Sequence, residues 1–257
     1  MKDKVAIVTG ATSGIGAAAA RMFGRAGARV LVVGRREAEG AQTVSEIEAS
    51  GGTAAFCRAD MTVANDIDAM VDAALNRWGR LDYAFNNAGL FSASPAFHEF
   101  DDALWADWMA VNLDGVFRCM RAEIRAMLET LAQTGEGAAI VNNASIMGHR
   151  GSTYAGAAYA ASKHGVIGLT RQAAIEYAKL GIRVNAVSPG PTLTPITAAT
   201  AALPEAARRK VIDDLLPIGR MGAPDEVAAT VLFLCSDAAA MITGHDIAVD
   251  GGQLARL

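Results

Sequence analysis

Short runs of β-branched and aliphatic residues recur along the chain, separated by stretches long enough to hold a helix each. The first, Lys4-Val5-Ala6-Ile7-Val8-Thr9, runs into Gly10, and others lie near residues 29–34, 53–58, 81–86, 137–144, 182–188 and 246–250. Several are apolar at successive positions, as in Ala138-Ala139-Ile140-Val141. A strand with one wet face alternates apolar and polar residues, whereas a continuous apolar run suits a strand covered on both faces. Helical patterns fill the gaps, with long ones near 101–133 and 158–180. The alternation predicts βαβ units in an α/β fold: a doubly wound parallel sheet of about seven strands with helices on both faces. It breaks once, at 194–217, which is Thr/Ala-rich and then helical through Pro204-Glu205-Ala206-Ala207-Arg208-Arg209-Lys210. That segment follows a strand whose carboxyl end faces the ligand crevice of such a sheet, so a substrate lid is expected there. No Ser/Gly/Pro linker, repeat or low-complexity tract interrupts the chain, and one domain over 1–257 is expected.

Composition narrows the function classes. With 52% hydrophobic residues among 257, the chain can bury a substantial core, and a formal charge of -4 provides no basic field for nucleic acid. Cys57, Cys119 and Cys235 are odd in number and form no C-x-x-C, as expected of reduced thiols in a cytoplasmic protein. The four histidines lack metal-ligand spacing, so no metal is expected. A signal peptide and a membrane span are not expected either, because the apolar runs are too short.

Two motifs carry chemistry. After the first strand, Gly10-Ala11-Thr12-Ser13-Gly14-Ile15-Gly16 opens an Ala-rich helix. Gly10 allows a sharp turn, Gly14 a close approach of backbone N–H groups to a pyrophosphate, and Gly16 tight packing of helix on strand. The spacing is G-x-x-x-G-x-G, distinct from the general G-x-G-x-x-G fingerprint. Further on, Tyr159 and Lys163 lie four residues apart in Ala157-Ala158-Tyr159-Ala160-Ala161-Ser162-Lys163. On a helix both heads share one face. A free phenol titrates near pH 10, and a neighbouring ammonium favours its ionised form; lowering it to about 7 takes roughly 4 kcal/mol.

These motifs, with Asp60, Asn86-Asn87-Ala88-Gly89, Asn112, Ser145, Asn185 and Pro189-Gly190 followed by Thr194, resemble the short-chain dehydrogenase/reductase family over nearly the whole chain. The resemblance implies a Rossmann-type single domain and a catalytic set of Asn112, Ser145, Tyr159 and Lys163. Tyr159 would exchange a proton with the substrate oxygen and Ser145 would hydrogen-bond that oxygen. Lys163 would lower the Tyr159 pKa and hold the nicotinamide ribose. Asn112 would kink a helix and hold a relay water. The implied cofactor contacts are Gly10, Thr12, Ser13, Gly14, Ile15, Gly16, Arg35, Arg36, Asp60, Met61, Asn86, Asn87, Ala88, Gly89, Tyr159, Lys163, Pro189, Gly190, Thr192 and Thr194. Among these, Asp60 would hold the adenine amino group, Asn86 and Ala88 would line the adenine ribose side, and Thr192 and Thr194 would lie near the carboxamide.

NADP(H) is slightly favoured over NAD(H), which stays possible. Family members selecting NAD commonly carry an aspartate where this chain has Arg35, with Arg36 following, and a guanidinium can pair with a 2′-phosphate. Leu90, Phe91, Ile146, Met147, Tyr154, Pro191 and Ile196 predict an apolar substrate pocket, with His149 and Arg150 able to bind an anionic group. Together these imply hydride exchange between NAD(P)(H) and a small to medium, fairly apolar secondary alcohol or ketone. The alternatives are a 3-oxoacyl carrier-protein reductase, docked through Arg118, Arg121, Arg125 and Arg171, and a non-catalytic nucleotide sensor. Partners are expected to be a small-molecule substrate and further copies of the chain, a homotetramer by default and a dimer next.

Overall fold

Seven strands, β1 Val5–Thr9, β2 Arg29–Gly34, β3 Thr53–Arg58, β4 Tyr83–Asn86, β5 Ala138–Asn143, β6 Ile182–Pro189 and β7 Asp246–Val249, form one parallel sheet ordered β3-β2-β1-β4-β5-β6-β7. The computed structural model describes residues 1–92, 94–152, 155–198 and 202–256, without the side chains of Ile196, Arg208 and Val211. Successive strand residues point to opposite faces, and the two resulting cores divide accordingly. Val5, Ile7, Leu31 and Val33 pack with α3 Ala64–Trp78, α5 Val116–Thr134 and α6 Ala157–Tyr177. Ala6, Val8, Val30 and Val32 face the other way, onto α1 Gly14–Arg25, α2 Glu37–Ala49 and the helix Pro224–Cys235.

Strand order reverses beside β1, which pairs with β2 on one side and β4 on the other. Chains leaving β1 and β4 at their carboxyl ends turn to opposite faces and open a crevice there. The glycine turn lies at its mouth. Gly10 has φ of +63°, and a Cβ on it would stand 2.8 Å from Asn87 Nδ2. Gly16 contacts the turn from the helix side, where a Cβ would stand 2.4 Å from the Gly10 carbonyl oxygen.

Two expectations change in detail. The fourth strand begins at Tyr83 instead of residue 81, because Arg80 and Asp82 form an ion-paired entry to it. The long helix expected over 101–133 is α4 Asp102–Met109, a π-helical stretch Ala110–Gly115 and then α5. Packing explains the widened turn: fully buried Asn112 sits within it, and a Cβ on Gly115 would stand 2.9 Å from the Met61 carbonyl oxygen. After β6 come the short turn Pro195–Thr197, α7 Glu205–Leu215 and α8 Pro224–Cys235.

Candidate active site

A cavity of about 1080 Å³ runs along the carboxyl ends of the central strands. Pockets for drug-sized ligands span roughly 300–1,000 Å³, so this one is large enough for a dinucleotide and a small second molecule.

At one end the glycine turn contributes Gly10, Thr12, Ser13, Gly14 and Ile15, and the segment after β2 contributes Arg35 and Arg36. The Arg36 guanidinium donates to Thr12 Oγ1 and Ser13 Oγ, both at 2.7 Å, which holds it against the turn. Arg35 Nη1 lies 3.4 Å from Asp60 Oδ2. The Thr62 N–H bonded to Asp60 pulls that carboxyl's pKa below its ordinary value, with burial opposing and Arg35 adding to the effect. Met61, Asn87, Ala88 and Gly89 continue the wall, and Pro189, Gly190, Thr192 and Thr194 close it from β6.

At the centre lie Ser145, Tyr159 and Lys163. Tyr159 is held edge-on by Phe91 and Trp108, with ring centroids 4.9 and 6.1 Å away. Ser145, in extended conformation just beyond β5, accepts the Met147 N–H at 3.1 Å and hydrogen-bonds the Tyr159 phenol. One turn along α6, the Lys163 ammonium donates to the Asn143 carbonyl at 2.6 Å and lies 5.5 Å from the Tyr159 ring centroid. Asn143 Nδ2 donates to Asn87 Oδ1 at 2.9 Å, and Asn87 Nδ2 donates to the Thr9 carbonyl at 3.0 Å. Hydrogen bonds thus connect Lys163 to the end of β1.

The electrostatics differ from expectation. Burial pushes the Tyr159 phenol above its ordinary pKa, and the Ser145 hydrogen bond only partly opposes this. The expected lowering by Lys163 is absent: the lysine is itself buried, and loss of water brings it down to about 8.

Three assigned residues do not line the cavity. Asn86 does not line the cavity; its Nδ2 donates to Glu123 Oε2 at 2.9 Å and Asn142 Oδ1 at 3.1 Å in the buried layer between sheet and helices. It ends a strand, so adjacent Asn87 takes the opposite direction and reaches the cavity. Gly16 supports the turn from behind without lining the cavity. Asn112 is also outside the lining: Oδ1 accepts the Leu90 N–H at 2.7 Å and Nδ2 donates to the Leu90 carbonyl at 3.0 Å. Both side-chain groups take part in fixing the loop after Gly89.

Leu90, Phe91, Ile146, Met147 and Pro191 line the other end as expected; Tyr154 and the Ile196 side chain lie outside the described residues. Leu203, Ile212, Leu215, Leu216 and Met221 join them. Ile212 and Leu215, three apart on α7, and Leu216 just past its end were legible as apolar positions. Gln253 also lines the cavity, brought there from the C-terminal segment with no local signal. His149 faces away, its Nε2 2.5 Å from Asp246 Oδ2, whereas Arg150 lines the cavity.

Residues 10–253 match the family model described as enoyl-(acyl carrier protein) reductase. The chain belongs to the short-chain dehydrogenase/reductase family. The A-factor type gamma-butyrolactone 1'-reductase (1S-forming) of Streptomyces virginiae is 41% identical over 253 residues, spanning 98% of this chain and 96% of that protein. The cis-4-hydroxycyclohexanecarboxylate dehydrogenase of Sinomonas cyclohexanicum is 42% identical, spanning 98% of this chain and 97% of that protein. A solved actinorhodin polyketide ketoreductase with NADPH superposes with a TM-score of 0.90 at 38% identity, covering 98% of each chain. As a member of this family the protein is a nicotinamide-dependent oxidoreductase acting on CH–OH groups, with a small-molecule substrate. Among the described residues no helix is long and apolar enough to cross a membrane, and no cluster of His, Cys, Asp and Glu could hold a metal ion.

Proposed function

We propose that the protein interconverts a secondary alcohol and its ketone on a small to medium, ring-bearing apolar substrate, with NADP(H) preferred. Convergence of Ser145, Tyr159 and Lys163 on one cavity is the observation that carries this reading. Names of relatives such as gamma-butyrolactone reductase and hydroxycyclohexanecarboxylate dehydrogenase support a cyclic substrate.

The residues present fit a dinucleotide. The bare backbone at Gly10 and Gly14 opens on the cavity beside the N-terminus of α1, whose unpaired N–H groups and dipole favour a pyrophosphate. When bound, the nicotinamide supplies the hydride exchange, and the protein supplies position and proton transfer. The Ser145 hydroxyl holds the substrate oxygen, and Tyr159 gives or takes the proton there. Lys163, anchored on Asn143, places a cation beside the phenol and within reach of a ribose hydroxyl. Asn112 acts as a positioning residue through Leu90. Arg36, held by Thr12 and Ser13, and Arg35 present the guanidinium groups that favour a 2′-phosphate.

The segment 194–217 serves as a substrate lid within a single domain over 1–257, supported by the apolar face of α7 on the cavity. Half-exposed Trp105 and Phe117 and well-exposed Ile175 support self-association, with a homotetramer the first choice. Three free cysteines, two of them buried, support a cytoplasmic setting.

The test follows absorbance at 340 nm over cyclic ketones and alcohols, with 3-oxoacyl and enoyl thioesters as competing classes. Cyclic ketones should be reduced with a higher kcat/KM for NADPH than for NADH, and Arg35→Asp should lower that ratio. Turnover confined to a thioester would remove the substrate assignment, and a tenfold wild-type preference for NADH would remove the cofactor assignment.

A further inference from the structure

The substrate end of the cavity is lined mainly by apolar side chains. Phe91, Ile146, Leu215, Leu216 and Met221 line it, and Arg150 and Gln253 interrupt them. Arg150 lies five residues beyond Ser145 on the same loop and is half-buried. One of its guanidinium nitrogens, Nη1, lies 3.4 Å from the Gln253 carbonyl oxygen, and no carboxylate pairs with it among the described residues. A guanidinium carries five N–H donors, so one long hydrogen bond leaves most of its capacity for a ligand. Gln253 is 3% exposed, so its backbone carbonyl anchors the guanidinium to a fixed wall.

We propose that Arg150, tethered to the Gln253 carbonyl, is a specificity-determining pole for a carboxylate on the substrate, so that the preferred substrates are ring alcohols or ketones bearing an acid group. The proposal rests on the secondary-alcohol reading above and adds a third zone to it. Ser145 and Tyr159 take the reacting oxygen, the apolar wall takes the ring, and Arg150 takes the anion. The other guanidinium groups lining the cavity, Arg35 and Arg36, lie at the glycine-turn end, where Arg35 faces Asp60 and Arg36 bonds Thr12 and Ser13. His149 adds no competing contact, being bonded to Asp246 and near Ser188. A planar guanidinium binds a carboxylate through two parallel hydrogen bonds, which also fixes the orientation of the ring between the two ends.

The experiment compares 4-hydroxycyclohexanecarboxylate with cyclohexanol in wild type, Arg150→Met and Arg150→Lys. Wild type should show a kcat/KM at least tenfold higher for the carboxylate. In Arg150→Met the KM for the carboxylate should rise by about 10- to 100-fold, the span of a charged hydrogen bond, with kcat and all cyclohexanol constants within threefold of wild type. Arg150→Lys should recover part of the loss. If the variants fold poorly, competition in wild type replaces them: cyclohexanecarboxylate should inhibit cyclohexanol oxidation more strongly than its methyl ester. Equal loss on both substrates would reduce Arg150 to a tether of the C-terminal segment and overturn the proposal. So would a wild-type preference for cyclohexanol, or equal inhibition by acid and ester. Failure to oxidise either alcohol with either nicotinamide cofactor would instead count against the secondary-alcohol reading.

Discussion

Tyr159 carries a hydroxyl that Ser145 hydrogen-bonds in the cavity, and its ring is already fixed by Phe91 and Trp108. Tyr159→Phe therefore removes the proton donor and leaves the packing, and turnover should fall by about 100-fold or more with cofactor affinity little changed. Retention of a tenth of wild-type turnover, with chemistry rate-limiting, would rule out this role. Burial raises the phenol's pKa, so its protonated form, the one ketone reduction needs, persists through neutral pH. Alcohol oxidation needs the ionised form, so its rate should climb with pH above neutrality while the reduction rate stays level. An oxidation rate that falls as pH rises, or a reduction rate that climbs with it, would contradict the assignment. Glu123 offers a second readout, away from the cavity. Burial raises its carboxyl from 4.5 to about 7, with the Asn86 hydrogen bond opposing. The folded protein keeps that proton to about pH 7 while the unfolded chain releases it near 4.5, so this group lowers stability as pH rises between the two values. At roughly 1.4 kcal/mol per pH unit the cost above pH 7 is about 3 kcal/mol. Glu123→Gln should remove that slope and stabilise the protein at pH 8, because an amide can accept from Asn86 Nδ2 and donate to the unpartnered Asn86 Oδ1. Urea unfolding at pH 5 and pH 8 measures the difference; identical slopes would contradict the argument.

Among the elements, α7 packs against the cavity itself. Ile212 and Leu215 turn toward the cavity, while Glu205 and Lys210 on the same helix stay in solvent. With cofactor and substrate bound, amides of 194–217 should exchange hydrogen more slowly than in the free protein. Equal exchange in both states would remove the lid. This segment was legible in the sequence as an interruption of the α/β alternation, just as the strands were legible as continuous apolar runs between longer helical stretches. The glycine turn and the Tyr159–Lys163 pair were legible because their chemistry depends on local spacing alone. What was not legible arises from contacts distant in sequence. The kink at Asn112 was implied by the family resemblance but its form was not, a π-helical turn at Ala110–Gly115 fixed by Asn112 pairing with Leu90, 22 positions away. Gln253 reaches the cavity only because β7 lays the C-terminal segment beside β6. The direction of Asn86 could have been read from strand parity with Asn87, but the motif drew all four of its residues to the cofactor.

Across the whole molecule, the cavity and a partly buried charge cluster occupy opposite ends of the sheet. At the amino ends of β1 and β4, Asp82 is fully buried, and its Oδ2 accepts the Val5 N–H and Arg80 Nε, both at 2.8 Å. Lys4 Nζ lies 3.3 Å from Asp82 Oδ1, and exposed Glu136 pairs with both Lys4 and Arg80. One carboxylate thus joins the two strands that flank the crevice, at the end away from the chemistry. Removing one partner of a buried, hydrogen-bonded ion pair leaves the others uncompensated and typically costs about 3–5 kcal/mol. Asp82→Asn keeps the shape and one acceptor for the Val5 N–H, so its cost should lie near the lower figure, about 3 kcal/mol. Glu136→Gln, at an exposed site where water replaces the lost partner, should change stability far less. The two variants separate a buried join from a surface pair with the same cations. Because the cavity lies at the other end, cofactor affinity and KM should match wild type in both at temperatures where both are folded. Equal unfolding midpoints for the two variants would show that Asp82 contributes no more than a surface charge, and altered cofactor affinity in Asp82→Asn would show that the two ends of the sheet are mechanically coupled.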